Sequence, residues 1–312
     1  MKEDDQLLLF ALIHVPGLGP VAIRRLMSRF GSAADILGAD ERELLQGAKL
    51  KPHQAFCAAA LRGLSAHFQR HLLEMRGRGI RALALGEAGY PAALAQMRDA
   101  PVLLFAQGDL SICHSRGVAV VGTRRPDKEG RLLAGEVAAF LSSSGVVVVS
   151  GLARGIDTCA HVGALEVGGR TLAVLGGGLT NIYPPENESL ARRIAGSGAL
   201  VCECCPMAGV SAAQLMARNR LVADFSEALV VVQARLRGGS FAAARRAIAN
   251  GKPVFVVKQK ACEFALGVER LASMGGLVTT QEGLFQKLQG LLSGKAERRV
   301  GQPQITGLTG AA

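Results

Sequence analysis

Three short apolar runs in the middle of the chain are each followed by a turn that contains glycine. In chain order the turns are Gly122-Thr123-Arg124 after 118–121, Ser150-Gly151 to Arg154-Gly155 after 146–149, and Gly176-Gly177-Gly178 after 171–175. Glycine allows a ligand to approach the backbone closely, and an arginine can bond a phosphate through two N–H groups at once. The pattern therefore predicts an anion site, with phosphate as its natural occupant. Each glycine taken singly could also serve only to allow a tight turn.

Two further segments carry residue types that suit a phosphate. Arg218-Asn219-Arg220 precedes an apolar run at 229–232, and Gly238-Gly239-Ser240 follows that run, just after Arg235 and Arg237. On a helix Arg218 and Arg220 would point in different directions, so they could not hold one phosphate together. In an extended turn both could line the path of a nucleic-acid backbone. The alternative is that these arginines are ordinary solvated surface residues.

These turns belong to a regular alternation of apolar runs and helical patterns between residues 117 and 257. Continuous apolar strands that alternate with helices indicate a parallel sheet covered on both faces. In such a sheet ligands bind at the carboxyl ends of the strands, which is where the glycines lie. We therefore predict an α/β fold built on an extended Rossmann-like, doubly wound and mainly parallel sheet.

A small all-helical domain is expected to precede this sheet. Residues 5 to 75 have apolar residues at helical spacing, interrupted by the turn Val15-Pro16-Gly17-Leu18-Gly19-Pro20. This turn either resembles a helix-hairpin-helix motif that binds one DNA phosphate or is a plain turn between two helices. The expected division is 1–75 for the helical domain, 80–290 for a Rossmann-like DNA-binding domain and 291–312 for a flexible tail.

Charge and cysteine content narrow the class of protein. The chain has 36 Lys and Arg against 25 Asp and Glu, and its net charge of +11 favours a polyanionic partner. The first residues are unlike a signal peptide and no apolar run is long enough to span a bilayer, so a cytoplasmic location is expected.

Cys202 and Cys205 have CxxC spacing beside Cys204, and structural thiols are favoured over a metal or redox site.

Familiar nucleotide-binding and catalytic motifs are absent from the sequence. GxxxxGK[ST] does not occur, and no GxGxxG follows the first strand, which argues against a P-loop ATPase and against a dinucleotide-dependent enzyme. Asp157 and His161 are four residues apart and could form an acid–base pair, but a role in ordering and packing the start of a helix is favoured. We therefore expect no catalytic residue, no metal ion and no cofactor.

Several of these segments together resemble the DNA-processing protein A (DprA/Smf) family. The most specific is Ser150-Gly151-Leu152-Ala153-Arg154-Gly155-Ile156-Asp157, and the similarity runs from about residue 7 to residue 285. The resemblance implies a non-enzymatic protein that binds single-stranded DNA in a basic pocket and forms a homodimer. It also implies that the protein protects incoming DNA and passes the strand to the recombinase RecA during natural transformation.

Taken together, the turns and the resemblance predict a nucleic-acid-binding site of twelve residues. They are Gly122, Thr123, Arg124, Ser150, Gly151, Arg154, Gly155, Gly177, Arg218, Asn219, Arg220 and Ser240. Aromatic residues make up only 4% of the chain, so base stacking is expected to be limited, with Tyr183 and Phe241 as the nearby candidates.

The sequence departs from the family pattern around one rim of the expected pocket. Leu215-Met216 stand where the family has Phe-Pro, Lys258-Gln259 replace Pro-Gly, and Glu269 replaces Asn. Two alternatives therefore stay open beside single-strand binding. One is a nucleotide-binding phosphohydrolase or nucleotide sensor of a related fold, although its PGGxGTxxE motif is missing. The other is a partner-binding scaffold that has lost its ligand.

Overall fold

The computed structural model describes residues 3–15, 18–48, 65–258 and 262–294. Its centre is a nine-stranded sheet among these residues. In chain order the strands are β1 (Ile80–Ala84), β2 (Leu103–Gly108), β3 (Gly117–Val121), β4 (Val147–Ser150), β5 (Thr171–Val174), β6 (Ala199–Cys202), β7 (Ala228–Val231), β8 (Val254–Val257) and β9 (Leu277–Thr279).

The strand order is β1-β2-β6-β5-β4-β3-β7-β8-β9. The seven strands from β6 to β9 in this order are parallel, whereas β1 and β2 are antiparallel to their neighbours. The mainly parallel Rossmann-like sheet predicted from the sequence is therefore confirmed. From β3 the chain winds one way through β4, β5 and β6, and then returns to the other side of β3 with β7. The junction of β3 and β7 is thus the topological switch point of the sheet.

Thirteen α-helices are present in the described ranges, numbered in chain order. They are α1 (Glu3–Leu12), α2 (Pro20–Phe30), α3 (Ala33–Gly38), α4 (Glu41–Ala48), α5 (Ser65–Gly77), α6 (Ala92–Ala95), α7 (Lys128–Ser143), α8 (Ile156–Glu166), α9 (Glu188–Ser197), α10 (Ala212–Asp224), α11 (Gly239–Ala249), α12 (Cys262–Ser273) and α13 (Gln281–Leu292). No helix of this set is long and apolar enough to cross a membrane.

Alternate residues of the central strand face two different apolar cores. Val118 and Val120 of β3 pack with α7, α8 and α13, whereas Ala119 and Val121 pack with α10, α11 and α12. Successive side chains of a strand point to opposite faces, so a strand that is apolar throughout must be covered on both sides. Polar side chains cap the start of several helices. For example, an Asp127 side-chain oxygen accepts a bond of 2.7 Å from the Gly130 N–H at the start of α7.

The helices α1 to α5 precede the sheet, as the sequence predicted. Their buried residues, among them Phe10 and Leu26, belong to one apolar cluster with Phe105 of β2 and Cys202 of β6. The division into domains at residues 75 and 80 stays a prediction. Pro16 and Gly17 of the predicted hairpin turn, and residues 295–312 of the predicted tail, lie outside the described residues.

Candidate functional site

A cleft of about 470 Å³ opens at the carboxyl ends of β3, β4 and β7. Its position at the switch point is the place where open α/β sheets bind ligands. The loops after these strands and the side chains of α10 and α11 supply its walls. The lining residues are Val121 to Arg125, Gly151, Ala153, Asp157, Ala212, Leu215, Met216, Arg218, Asn219, Val222, Arg235 and Arg237 to Ser240.

Seven of the twelve residues predicted from the sequence line this cleft. They are Gly122, Thr123, Arg124, Gly151, Arg218, Asn219 and Ser240. They come from four separate segments of the chain, which the sheet brings together at one edge. Asn219 and Gly239 are in close contact, because a Cβ atom at Gly239 would lie 2.7 Å from the Asn219 Nδ2 atom. This contact joins α10 to the start of α11.

Arg218 is a buried cation in the floor of the cleft. The residue is only 4% exposed, and its Nη1 donates to the carbonyl oxygens of Gly151 and Val174 at the ends of β4 and β5. Burial lowers the pKa of the guanidinium, and the nearby Asp157 carboxylate opposes that shift. Arg218 therefore holds the ends of β4 and β5 together, and its positive charge lies at the bottom of the cleft.

Asp157 and His161 have the structural roles that the sequence favoured. The Asp157 Oδ2 atom accepts from the backbone N–H groups of Gly151, at 3.2 Å, and Ala153, at 3.4 Å, which orders the turn before α8. Burial raises the pKa of Asp157, and the charge of Arg218 partly offsets the effect. His161 is fully buried, and its Nδ1 donates to the Thr171 hydroxyl at 2.7 Å. Burial lowers the pKa of His161 to about 3.

Replacing Gly151 with alanine is expected to destabilise the protein by about 1–3 kcal/mol, because the added methyl group overpacks the site. A Cβ atom there would lie 2.5 Å from the Arg218 Cζ atom, and the carbonyl contacts of Arg218 prevent its withdrawal. Urea denaturation measures the change. Gly209→Ala is the control, because no described atom lies within 4 Å of its Cβ position. Equal stabilities for the two variants would contradict the expectation.

A small crevice adjoins the cleft and contains Arg154, another of the predicted residues. It shares Arg124, Gly151 and Arg218 with the cleft and adds Tyr183 to the lining. Arg154 forms a two-pronged ion pair with Glu186 and lies over the Tyr183 ring, with 5.9 Å from its Cζ atom to the ring centroid. Arg154 is therefore next to the cleft but is engaged by a carboxylate.

Three other predicted residues support the loops and do not line the cleft. The buried Ser150 hydroxyl donates to the Val120 carbonyl oxygen at 2.7 Å. Gly155 has a φ of +79°, and a Cβ atom there would lie 2.4 Å from the Thr123 carbonyl oxygen. Gly177 lies in the loop after β5, where its Cβ position would face Val210 at 3.3 Å.

Arg220 lies away from the cleft, because it belongs to helix α10 and not to an extended turn. Its guanidinium forms ion pairs with Glu203 and with Asp99, the latter at 3.6 Å. Asp99 also pairs with Arg246 of α11 at 2.8 Å. Arg218 and Arg220 therefore point in different directions, as expected for a helix, and the alternative of an extended turn in which both line one backbone is wrong. Arg220 links α10 to α11 through Asp99, outside the cleft.

Four exposed arginines surround the mouth of the cleft. Arg124, Arg125 and Arg237 form no ion pair with any described residue, whereas Arg235 is paired with Glu263 at 2.6 Å. Arg125 was not among the predicted residues, although it directly follows the glycine turn that identified Arg124. The sequence has Arg237 directly before Gly238-Gly239-Ser240, but only the structure shows that it lies at the mouth of the cleft, next to the start of α11.

The three neighbouring cysteines pack beside the loop after β6. Cys202 is fully buried in the apolar cluster that contains the N-terminal helices, and Cys204 and Cys205 pack against that cluster. Burial raises the pKa of the Cys202 thiol well above its ordinary value. All three are free thiols. Their packing agrees with the structural role that the sequence favoured.

Fold and cleft together define a Rossmann-like protein with a basic cleft at the switch point of its sheet. The chain belongs to the DNA recombination-mediator protein A family, whose model matches residues 81–289. It is 33% identical to DNA processing protein DprA of Bacillus subtilis over 238 residues, which are 74% of this chain and 80% of that protein. It is 40% identical to protein Smf of Escherichia coli over 169 residues, 54% of this chain and 45% of that protein.

Two solved structures of this family are similar to the chain. The X-ray structure of DNA processing protein A from Streptococcus pneumoniae has a TM-score of 0.77 and 27% identity, covering 92% of this chain and 98% of that one. A structure that describes the single-stranded DNA binding mode of the Helicobacter pylori protein has a TM-score of 0.61 and 30% identity, covering 67% and 95%.

Proposed function

We propose that the cleft binds single-stranded DNA through its phosphates. The observation that carries the proposal is the arrangement of Arg124, Arg125 and Arg237, which are exposed and unpaired among the described residues, around a floor of glycine turns. Flexible arginines at the rim can follow a backbone, and close-packed glycines let the strand approach the main chain. The Helicobacter pylori relative, whose structure describes single-stranded DNA binding, supports the same assignment.

The proposed binding is electrostatic and largely independent of base sequence. The described residues that line the cleft include no aromatic side chain, since their apolar members are Val121, Val222, Leu215 and Met216 with two alanines. Stacking is the usual source of base preference in single-strand binders, so little preference follows. The twelve predicted residues thereby separate into seven that face the strand, Arg154 beside it, and four that support the fold.

The wider role follows the family. We propose that the chain is a non-enzymatic homodimer that protects incoming DNA and delivers the strand to a RecA-type recombinase in natural transformation. Its division into a helical part up to residue 75 and a DNA-binding part from residue 80 belongs to the same proposal, as does its cytoplasmic location.

The test is fluorescence anisotropy with a labelled single strand of ~30 nucleotides, titrated across salt concentrations. We expect Arg124→Ala/Arg237→Ala to weaken binding roughly tenfold or more at low salt and to flatten the plot of log affinity against log salt by about 1.4, since each phosphate contact contributes about 0.7. Arg193→Ala is the control, because Arg193 is exposed on α9 and does not line the cleft.

Two results would overturn the proposal. Wild-type protein that does not bind at low salt would exclude strand binding, and nucleoside monophosphates would then be tested for cleavage and for a shift in melting temperature. Equal losses in Arg193→Ala and the double variant would place the binding surface elsewhere.

A further inference from the structure

Arg154 is held next to the cleft by a rigid local structure. Asn187 is buried, and its Nδ2 donates to the Leu152 carbonyl oxygen at 3.0 Å and to the Thr158 hydroxyl at 2.9 Å. These bonds fasten the segment that carries Glu186 to the loop that carries Arg154. The two side chains therefore meet because of buried contacts behind them, and not by chance at a mobile surface.

The ion pair has the geometry with which arginine binds phosphate. The Nε and Nη2 atoms of Arg154 each bond a different carboxylate oxygen of Glu186, the second at 3.0 Å. A phosphate presents two oxygens to a guanidinium in the same fork-to-fork arrangement. Glu186 thus occupies the position that a DNA phosphate would take on this arginine.

The pair is also open to exchange. The Arg154 and Glu186 side chains are 50% and 52% exposed, and exposed ion pairs contribute little because water and salt compete with them. The Tyr183 ring under Arg154 keeps the guanidinium in place when its partner changes. The crevice beside this group opens into the cleft through Arg124 and Arg218.

We propose that Arg154 and Tyr183 form a second phosphate subsite next to the cleft, and that Glu186 blocks it until a strand phosphate displaces the carboxylate. This inference rests on the proposed function, since the ligand is a phosphodiester of the strand held at Arg124. Glu186 lowers the affinity for the strand, because the ion pair between Glu186 and Arg154 must break before a phosphate can bind Arg154.

The test compares Glu186→Gln with wild type in the same anisotropy titration with the ~30-nucleotide strand. Glutamine keeps the shape and a hydrogen-bonding oxygen but removes the competing charge. We expect binding to tighten roughly three- to tenfold at low salt, and the salt slope to steepen by about 0.7, because the phosphate at Arg154 then releases its own counterion and no freed carboxylate takes one up. Glu188→Gln is the matched control, since this exposed carboxylate pairs with Arg192 at 2.7 Å and does not line the cleft.

The same substitution in a protein that lacks Arg154 tests whether its effect depends on the contact between Glu186 and Arg154. In an Arg154→Ala background, Glu186→Gln is expected to change affinity no more than Glu188→Gln does. Equal effects of the two glutamine variants in wild type, or an unchanged effect of Glu186→Gln without Arg154, would overturn the subsite while leaving strand binding intact. Failure of the wild type to bind at all would overturn both proposals.

Discussion

Replacing Arg218 with methionine is expected to lower the free energy of unfolding by about 3–5 kcal/mol, because it removes a buried cation and leaves the nearby buried Asp157 carboxylate without an opposite charge. Methionine fills nearly the same space, so the loss does not come from a cavity. It comes from the carbonyl oxygens of Gly151 and Val174, which lose their donor, and from Asp157, which loses the charge that opposes its burial. Urea denaturation monitored by circular dichroism measures the difference.

The same measurement on two further variants tests whether the loss of stability comes from the buried position of Arg218 and from its interaction with Asp157. Arg192→Met removes an exposed arginine, 70% accessible at its side chain, and is expected to change stability by less than about 0.5 kcal/mol. Combining Arg218→Met with Asp157→Asn should cost less than the sum of the single changes, because the two charges interact. Strict additivity would show that the two charges do not interact. A loss below about 1 kcal/mol for Arg218→Met would show that Arg218 does not support the strand ends.

The protein is expected to lose about 2–3 kcal/mol of stability between pH 7 and pH 4.5 through His161 alone. Burial, with a smaller contribution from the charge of Arg218, lowers the pKa of His161 from 6.5 to about 3 in the folded state. A lowered folded pKa favours the neutral form, so this stability is fully present above pH 6.5. It is lost as the pH falls toward 3, because only the unfolded chain then takes up the proton.

His161→Asn isolates this contribution. The asparagine Nδ2 atom takes the position of the histidine Nδ1 atom, which bonds the Thr171 hydroxyl, and the amide does not titrate. The variant therefore lacks the part of the pH profile that belongs to His161. Asp157 acts in the opposite direction, since its raised pKa stabilises the fold as the pH falls, but it is common to both proteins and cancels in the difference. Parallel profiles of wild type and variant between pH 7 and 4.5 would show that His161 is accessible to protons.

The central strands were predictable from the sequence because they are apolar on both faces. Runs such as 118–121 and 254–257 became β3 and β8 with shifts of at most a residue. The edge strands β1 and β9, and β2 beside β1, were not predicted. β9 has only three residues, with Val278 exposed, and a partly exposed edge strand has no continuous apolar run to reveal it.

The candidate site was predictable where backbone conformation decides it. The glycine turns after β3 and β4 meet because parallel strands end at the same edge of a sheet. The sequence left open whether the segment of Arg218 and Arg220 is helical or extended, and their directions depend on it. Helix α10 buries Arg218 in the cleft floor and directs Arg220 toward Asp99 and Glu203. The Glu186 contact with Arg154 depends on a loop 32 residues away, and no local pattern predicts it.

The order of strands in the sheet has a consequence for how the chain folds during synthesis. β3 pairs with β7, so Ala119 faces Leu229, and β2 pairs with β6, so Phe105 faces Cys202. Contacts between such distant residues form slowly, because a long loop must close first. One edge of β3 therefore stays open while about a hundred further residues leave the ribosome, and a nascent chain that ends before β7 exposes that apolar edge to other proteins.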